Sequence, residues 1–544
     1  MTQDQNGTEG HDEPIDALGV EVFQHLFSSV AEEMGVALQR SAFSVNIKER
    51  LDFSCAIFGA GGELIAQAAH LPVHLGATPL SVAAVLAAQE LQPGDVAFHN
   101  DPYGGGTHLP DITAVAPVFE PGSPGSTVPK RPLFYVVSRA HHADVGGAFP
   151  GSMAPARDVH GEGLRLPAVR MVRGGEVDGD LLGLFLANVR VPVERRADLF
   201  AQVAAARVGE ARLEAMIAEY GGARLAEHGL DLVRWTAATT AARIARLPRG
   251  EWSFVDTLEG GPDGLGDPLE IRLRLVSDGS TLTFDFSGTA AQALDGSPVN
   301  TTLAVTVSAV FYGLRLLLPP GTPTNAGVLE HVEIITEQGT VCDAAYPAPV
   351  AAGNVETSQR LVDVVLGALA QALPDEIPAA SAGTMNNLSF GGVRADGRGY
   401  THYETHGGGA GGGPQRPGAH GVQTHMTNTR NSPIEALEIE MPVEIVKQTL
   451  RRGSGGAGEH PGGDGIVRRL RFTGDARVAW MGERQRSGPY GLSGGAPGAP
   501  GEARIQTPGE EERTLDPKAA LDLSAGSEIE IRTPGGGGFG RQGS

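Results

Sequence analysis

The sequence predicts an α+β protein of more than one domain, with β-rich and helical segments interleaved and a β-rich module at the C-terminal end. Three observations carry that expectation. The chain has 544 residues, too many for one compact core. Its hydrophobic spacing switches several times between helical periodicity and strand alternation. Glycine occupies 77 positions, about 14% of the chain and roughly twice ordinary usage. It shows no collagen-like period and falls between apolar segments, so it reads as ordered turns and loops.

Residues 1–15 are polar and acidic and are expected to be a flexible lead. A first α+β region is assigned to 16–250. It opens with Val20, Phe23, Phe27, Val30 and Met34 at helical spacing. The runs "LDFSCAIFG", "GDVAFHNDP", "DITAVAPVF" and "LFYVVSRA" then read as short strands set off by Gly, Pro and Asn. Between two of them, "EPGSPGSTVPKRP" reads as a solvent loop. Two long helices are expected over 192–246, broken at Gly221-Gly222. A second α+β region, 251–465, begins with "LEIRLRLV" and "LTFDFSG", a hairpin turned by "SDGS". Helices are expected over 300–318 and 357–373, followed by a glycine-rich tract from about 383 to 465. Residues 466–544 read as the β-rich module.

The balance of charge narrows the function classes. A formal net charge of −22 repels phosphate backbones and anionic membranes, so neither nucleic acid nor membrane is an expected partner. The longest apolar run is interrupted by Arg315 and ended by prolines, too short to span a bilayer. Two cysteines make no disulfide framework, and the polar N-terminus lacks a signal-peptide pattern, so a cytoplasmic protein is expected. None of the four lysines follows a glycine, which leaves no Walker A loop, and no G-x-S-x-G elbow sits between a strand and a helix.

Histidines are concentrated. Five of sixteen, His99, His108, His141, His142 and His160, fall within residues 99–160. In "GGGTHLPDIT" a proline stiffens the backbone between His108 and Asp111, and "SRAHHADVGG" places His141 and His142 at a strand end. Imidazole plus carboxylate suits Mn, Zn or Fe. The alternative is that these residues satisfy turn hydrogen bonds, and the grouping favours a site. Adjacent histidines on an extended chain point to opposite faces, so only one of His141 and His142 should reach a metal. His142 and Asp144 are then the candidate catalytic groups, His142 as a base behind the ligands. A second set, His402, Glu404, His406, His420 and His425, lies amid glycines and reads as a surface or interface loop with incidental histidines.

Several long runs carry a resemblance. "NIKERLDFSCAIFG", "GDVAFHNDPYGGGTHLPDIT", "SRAHHADVGG", "GSMAP", "NVETSQR", "THMTNTRNSPIEALE" and "TPGGGGFG" together resemble the hydantoinase B / 5-oxoprolinase family, in that family's order and across essentially the whole chain. The resemblance implies a division of labour. A hydantoinase A-like subunit binds ATP and phosphorylates the substrate oxygen, while the B-type chain holds one divalent metal and completes the reaction. It carries His108, Asp111 and His141 over as metal ligands, with Asp52 of "ERLDFS" as a further acidic position. The chain departs from the family in a longer loop between Phe119 and Leu133, and in Gly453 where the family has aspartate. The leading reading is the metal-bearing subunit of an ATP-dependent cyclic amide hydrolase acting on a hydantoin, 5-oxoproline or a related lactam. The alternative is a subunit of an acetone- or acetophenone-type carboxylase. Either implies a hetero-oligomer, most simply with two copies of each subunit.

Overall fold

Helix Ala17–Ser41 buries Phe23, Phe27, Val30, Met34 and Leu38 along one face, as their spacing requires. In the computed structural model, which describes residues 17–68, 71–120, 131–394 and 396–542, this face covers a seven-stranded antiparallel sheet. The acidic lead and residues 121–130 of the expected insertion lie outside the described residues. The sheet runs in the order Leu64–Gln67, Phe53–Gly59, Pro132–His141, Asp111–Phe119, Val96–His99, Val169–Arg173, Glu176–Val177. Helix Pro192–Tyr220 lies beside the first helix on the same face, while Ala77–Ala88 covers the other. Covered on both faces, the central strands Phe53–Gly59 and Asp111–Phe119 are buried along their whole length. The helix packing is close at Gly209, where a Cβ would sit 2.5 Å from Met34 Sδ and 2.8 Å from Val136 Cγ1.

A second core forms around a four-stranded sheet, Val332–Ile335, Leu282–Asp285, Leu269–Ser277, Gly250–Leu258, packed on helices Leu303–Leu317 and Ser358–Ala372. The expected hairpin is present, with Leu282 opposite Ser277. The break at Gly221 separates Pro192–Tyr220 from Gly222–Ile244.

Beyond residue 465 the strands enter two sheets, and neither is self-contained. Ala476–Met481 pairs with Asn387–Val393, and Gly465–Phe472 pairs with Val443–Arg451. The two sheets share one core that includes Phe390, Leu470, Phe472 and Trp480. The C-terminal strands are therefore completed by strands from within residues 387–451.

The glycine tract differs from expectation. Residues 401–409 are buried, and the glycine segments form a bundle held by backbone hydrogen bonds. Gly463 N–H donates to Ala410 O, Gly536 N–H to Gly463 O, and Gly412 N–H to Gly537 O. A Cβ on Gly463 would fall 1.9 Å from Ala419 O, and one on Gly411 would fall 1.8 Å from Ala379 O. The glycines are present because backbones touch there, so they line an interior and not a surface loop.

Candidate metal centre

Asp111 opens one strand and His141 closes its neighbour, and the register places them directly opposite each other. His108 precedes Asp111 by one turn, whose Asp111 N–H donates to His108 O. The three side chains therefore converge at one end of two central strands. His108 Nε2 is 3.1 Å from Asp111 Oδ1, and His141 Nδ1 is 3.3 Å from the same oxygen. One candidate ligand atom from each of the three lies within 4.8 Å of the others. On the other carboxylate oxygen, Thr107 Oγ1 donates at 2.7 Å and Asn354 Nδ2 at 3.1 Å, with His74 Nε2 at 3.5 Å. A cavity of about 20 Å³, room for one small ion or water, is lined by Asp52, His74, Asp111, His141, Asn354 and Tyr403.

The electrostatics favour an anion among imidazoles. Burial by itself would raise the Asp111 carboxyl. The charge and hydrogen bond of His108, with the bonds from His141 and His74, outweigh it and hold Asp111 well below the usual range. Burial likewise opposes a proton on His108, but Asp111 overrides it and raises His108. At His74 burial prevails and lowers it. A buried carboxylate sharing a proton with imidazoles is a donor set from which a divalent cation displaces that proton.

Outer contacts orient the rings. His108 Nδ1 faces Ala351 O at 3.2 Å, which turns Nε2 inward. The amides of Val350 and Ala351 donate to Glu162 Oε1, at 2.8 and 2.9 Å. Burial pushes the Glu162 carboxyl up to about 8. His141 stacks on Tyr403 with centroids 4.7 Å apart and planes 16° apart. Tyr403 OH donates to Asn387 Oδ1 at 2.7 Å, and Asn387 Nδ2 donates to Glu356 Oε1. His141 Nε2 and Asn354 Oδ1 are buried without a hydrogen-bond partner among the described residues. Asn354 rides on a π-turn, Gly353–Thr357, a feature that recurs at functional sites.

Asp52 lines the cavity, with its carboxylate 3.7 Å from Arg50 Nη1. His142 points away, as strand alternation requires, and its Nε2 lies 3.0 Å from Gln202 Oε1. Burial pushes it down to about 4. Asp144 accepts from Arg190 Nη1 at 2.8 Å and from the Arg190 and Gly146 amides. Neither lines the cavity: His142 meets helix Pro192–Tyr220, and Asp144 ties the loop after the strand to Arg190.

The second histidine set does not assemble into one cluster. Glu404 pairs with Arg468 at 2.9 Å, His406 Nδ1 meets Asn386 O at 2.8 Å, and His425 Nδ1 meets Tyr312 OH at 3.4 Å. His420 is largely exposed and accepts from the Asp464 amide. Sequence reasoning missed His74, which no motif marks. It also missed Asn354, although the run "NVETSQR" that contains it was recognised.

Fold and site together describe a chain that presents a buried His–Asp–His cluster at the ends of central strands, covered by the turn Gly353–Thr357 and the strand Gly399–Glu404. Residues 16–542 match the model of the Hydantoinase B/oxoprolinase family, and the chain belongs to that family. It is 40% identical to an uncharacterised protein of Methanocaldococcus jannaschii over 97% of this chain and 91% of that protein. It is 38% identical to 5-oxoprolinase 1 of Arabidopsis thaliana over 96% of this chain but only 42% of that protein, so it spans less than half of that relative. Among solved structures it resembles the ATP-dependent caprolactamase of Pseudomonas jessenii, with TM-score 0.87 and 27% identity over 97% of this chain and 91% of that one. No described helix is long and apolar enough to cross a membrane.

Proposed function

We propose that this chain is the metal-bearing part of an ATP-dependent hydrolase that opens a cyclic amide, a hydantoin, 5-oxoproline or a related lactam. The single observation that carries the reading is the buried convergence of His108, Asp111 and His141, in a family whose relatives include a 5-oxoprolinase and whose fold is shared by a caprolactamase. His108, Asp111 and His141 hold one divalent cation, Mn, Zn or Fe, and Asp52, in the lining of the same cavity, offers the fourth ligand. Once bound, the ion supplies Lewis acidity and a water of lowered pKa. The protein's own part is positional. Ala351 fixes the ring of His108, Tyr403 fixes the plane of His141, and Thr107 with Asn354 aims the Asp111 carboxylate.

An unstrained lactam resists hydrolysis, and phosphorylation of its oxygen supplies a leaving group. That step is assigned to a hydantoinase A-like ATP-binding partner in a hetero-oligomer, most simply with two copies of each. The support is that 5-oxoprolinase 1 extends well beyond the segment matched here.

The test is metal content by inductively coupled plasma analysis, with ring opening of hydantoin, 5-oxoproline and caprolactam by the partner-reconstituted enzyme. His108→Ala and His141→Ala should each lose the metal and reduce turnover by at least about a hundredfold, while the fold is retained. Metal retained in both variants, or ATP turnover by the pure chain alone, would overturn the proposal.

A further inference from the structure

Strand register puts Ser54 on the same face of the first sheet as the candidate ligands. Ser54 lies opposite Arg139 and Asp111 opposite His141, and positions 139 and 141 of one strand point to the same side. The turn Pro72–His74 brings a further imidazole to that face. His74 Nδ1 is 2.8 Å from Ser54 Oγ, and its Nε2 is 3.5 Å from Asp111 Oδ2. The backbone that carries this ring is fixed independently of the ligands. Thr78 Oγ1 donates to His74 O at 2.9 Å, and the Val73 amide donates to Met426 O at 3.2 Å. Just beyond, Gly76 is pressed so closely on helix Leu303–Leu317 that a Cβ there would fall 2.6 Å from Ser308 N.

The two oxygens of Asp111 face different company. His108 Nε2 and His141 Nδ1 both approach Oδ1, at 3.1 and 3.3 Å, whereas Thr107, Asn354 and His74 gather at Oδ2. Those three are not equivalent. Thr107 belongs to the turn that carries Asp111 and moves with it. Asn354 Nδ2 also lies 3.0 Å from His108 Nε2, so it is shared with a ligand ring. Among the described residues His74 bonds to neither ligand histidine, and it is anchored outside the turn. A lone pair on its Nε2 would face a carboxylate oxygen and be repelled. The favoured tautomer therefore carries its proton on Nε2 and accepts the Ser54 hydroxyl at Nδ1.

We propose that His74, set by Ser54, is a positioning residue that fixes which oxygen of Asp111 meets the cation: its Nε2–H holds Oδ2 and leaves Oδ1 as the single ligand oxygen. The inference rests on the metal reading of His108, Asp111 and His141. An uncharged donor suits the task, because it orients the carboxylate without neutralising it as an arginine would.

The test titrates Zn and Mn into the metal-stripped full-length chain against a competing chelator. His74→Phe keeps a ring and removes its donor, and should weaken binding by roughly ten- to a hundredfold, the usual cost of losing an outer contact to a ligand. His74→Gln, whose amide offers an N–H near the place of Nε2, should restore affinity to within about threefold of the wild type. Ser54→Ala should weaken it by about tenfold. Nitrogen-15 NMR of the histidine-labelled, metal-stripped chain should show His74 protonated on Nε2. Equal weakening in the Phe and Gln variants would assign the effect to packing and overturn the proposal, as would a proton on Nδ1. Metal bound by His74→Phe to within about twofold of the wild type overturns this proposal and leaves the metal reading standing, whereas a wild-type chain that binds neither metal overturns both. Should His74→Phe not fold, Ser54→Ala decides: a loss of affinity supports the proposal, and unchanged affinity overturns it.

Discussion

At Asp111 a single buried carboxylate meets three imidazoles, a hydroxyl and an amide. Glu404 shows the opposite solution to burying an anion. Burial raises its carboxyl, but Arg468 at 2.9 Å, with the neighbouring His406 and His402, overrides that and brings it down to about 2. Because the folded value lies below the ordinary 4.5, the pair's stabilisation is present above that value and is lost as pH falls from 4.5 toward 2. Chemical denaturation across that range should show Glu404→Gln less stable than the wild type at neutral pH, with the gap closing as pH drops. A gap independent of pH would refute the assignment. Asp111, buried among imidazoles and neutral donors with no such arginine bonded to it, has the composition of a cation site.

Among elements, the glycine bundle is the least forgiving. Gly463→Ala would drive a methyl to within 1.9 Å of a backbone oxygen that no rotamer change can move. It should destabilise the protein by about 3 kcal/mol or more, the upper range for overpacking. Gly183, inside helix Gly179–Ala187, has nothing within 4 Å of its would-be Cβ. Gly183→Ala should raise stability by about 0.5–1 kcal/mol through helix propensity. Urea unfolding of the two variants checks both signs, and equal effects would sink the interior reading of the bundle. Gly453 sits at φ 77° in open space, in a turn outside this packing.

The whole molecule closes on the centre from three parts of the fold. His108, Asp111 and His141 come from the first sheet, Asn354 from the turn before helix Ser358–Ala372, and Tyr403 from the third sheet. A cation bound there ties these parts together. Thermal unfolding should therefore shift upward with added Mn or Zn, in proportion to the logarithm of free metal above the dissociation constant. Chelation should reverse the shift, and His108→Ala should abolish it. An unchanged midpoint in the wild type across a hundredfold range of metal would show that no cation bridges these parts.

What the sequence determined by itself was what depends on neighbours along the chain. The first helix follows from the spacing of Phe23, Phe27 and Met34, the break at Gly221 from its glycine pair, and the opposed directions of His141 and His142 from strand alternation. The approach of His108 to Asp111 likewise needs only one proline turn. The tertiary structure alone decided what depends on pairing across distance. His74 and Asn354 reach Asp111 over 37 and 243 positions, and no local pattern encodes such a contact. Asp144 went to Arg190 because the loop after the strand needed a brace. The glycines of 407–413 became interior because other glycine segments, as far away as 535–538, arrive to meet their backbone. Composition shows that a chain can approach another closely; only the fold selects which one does.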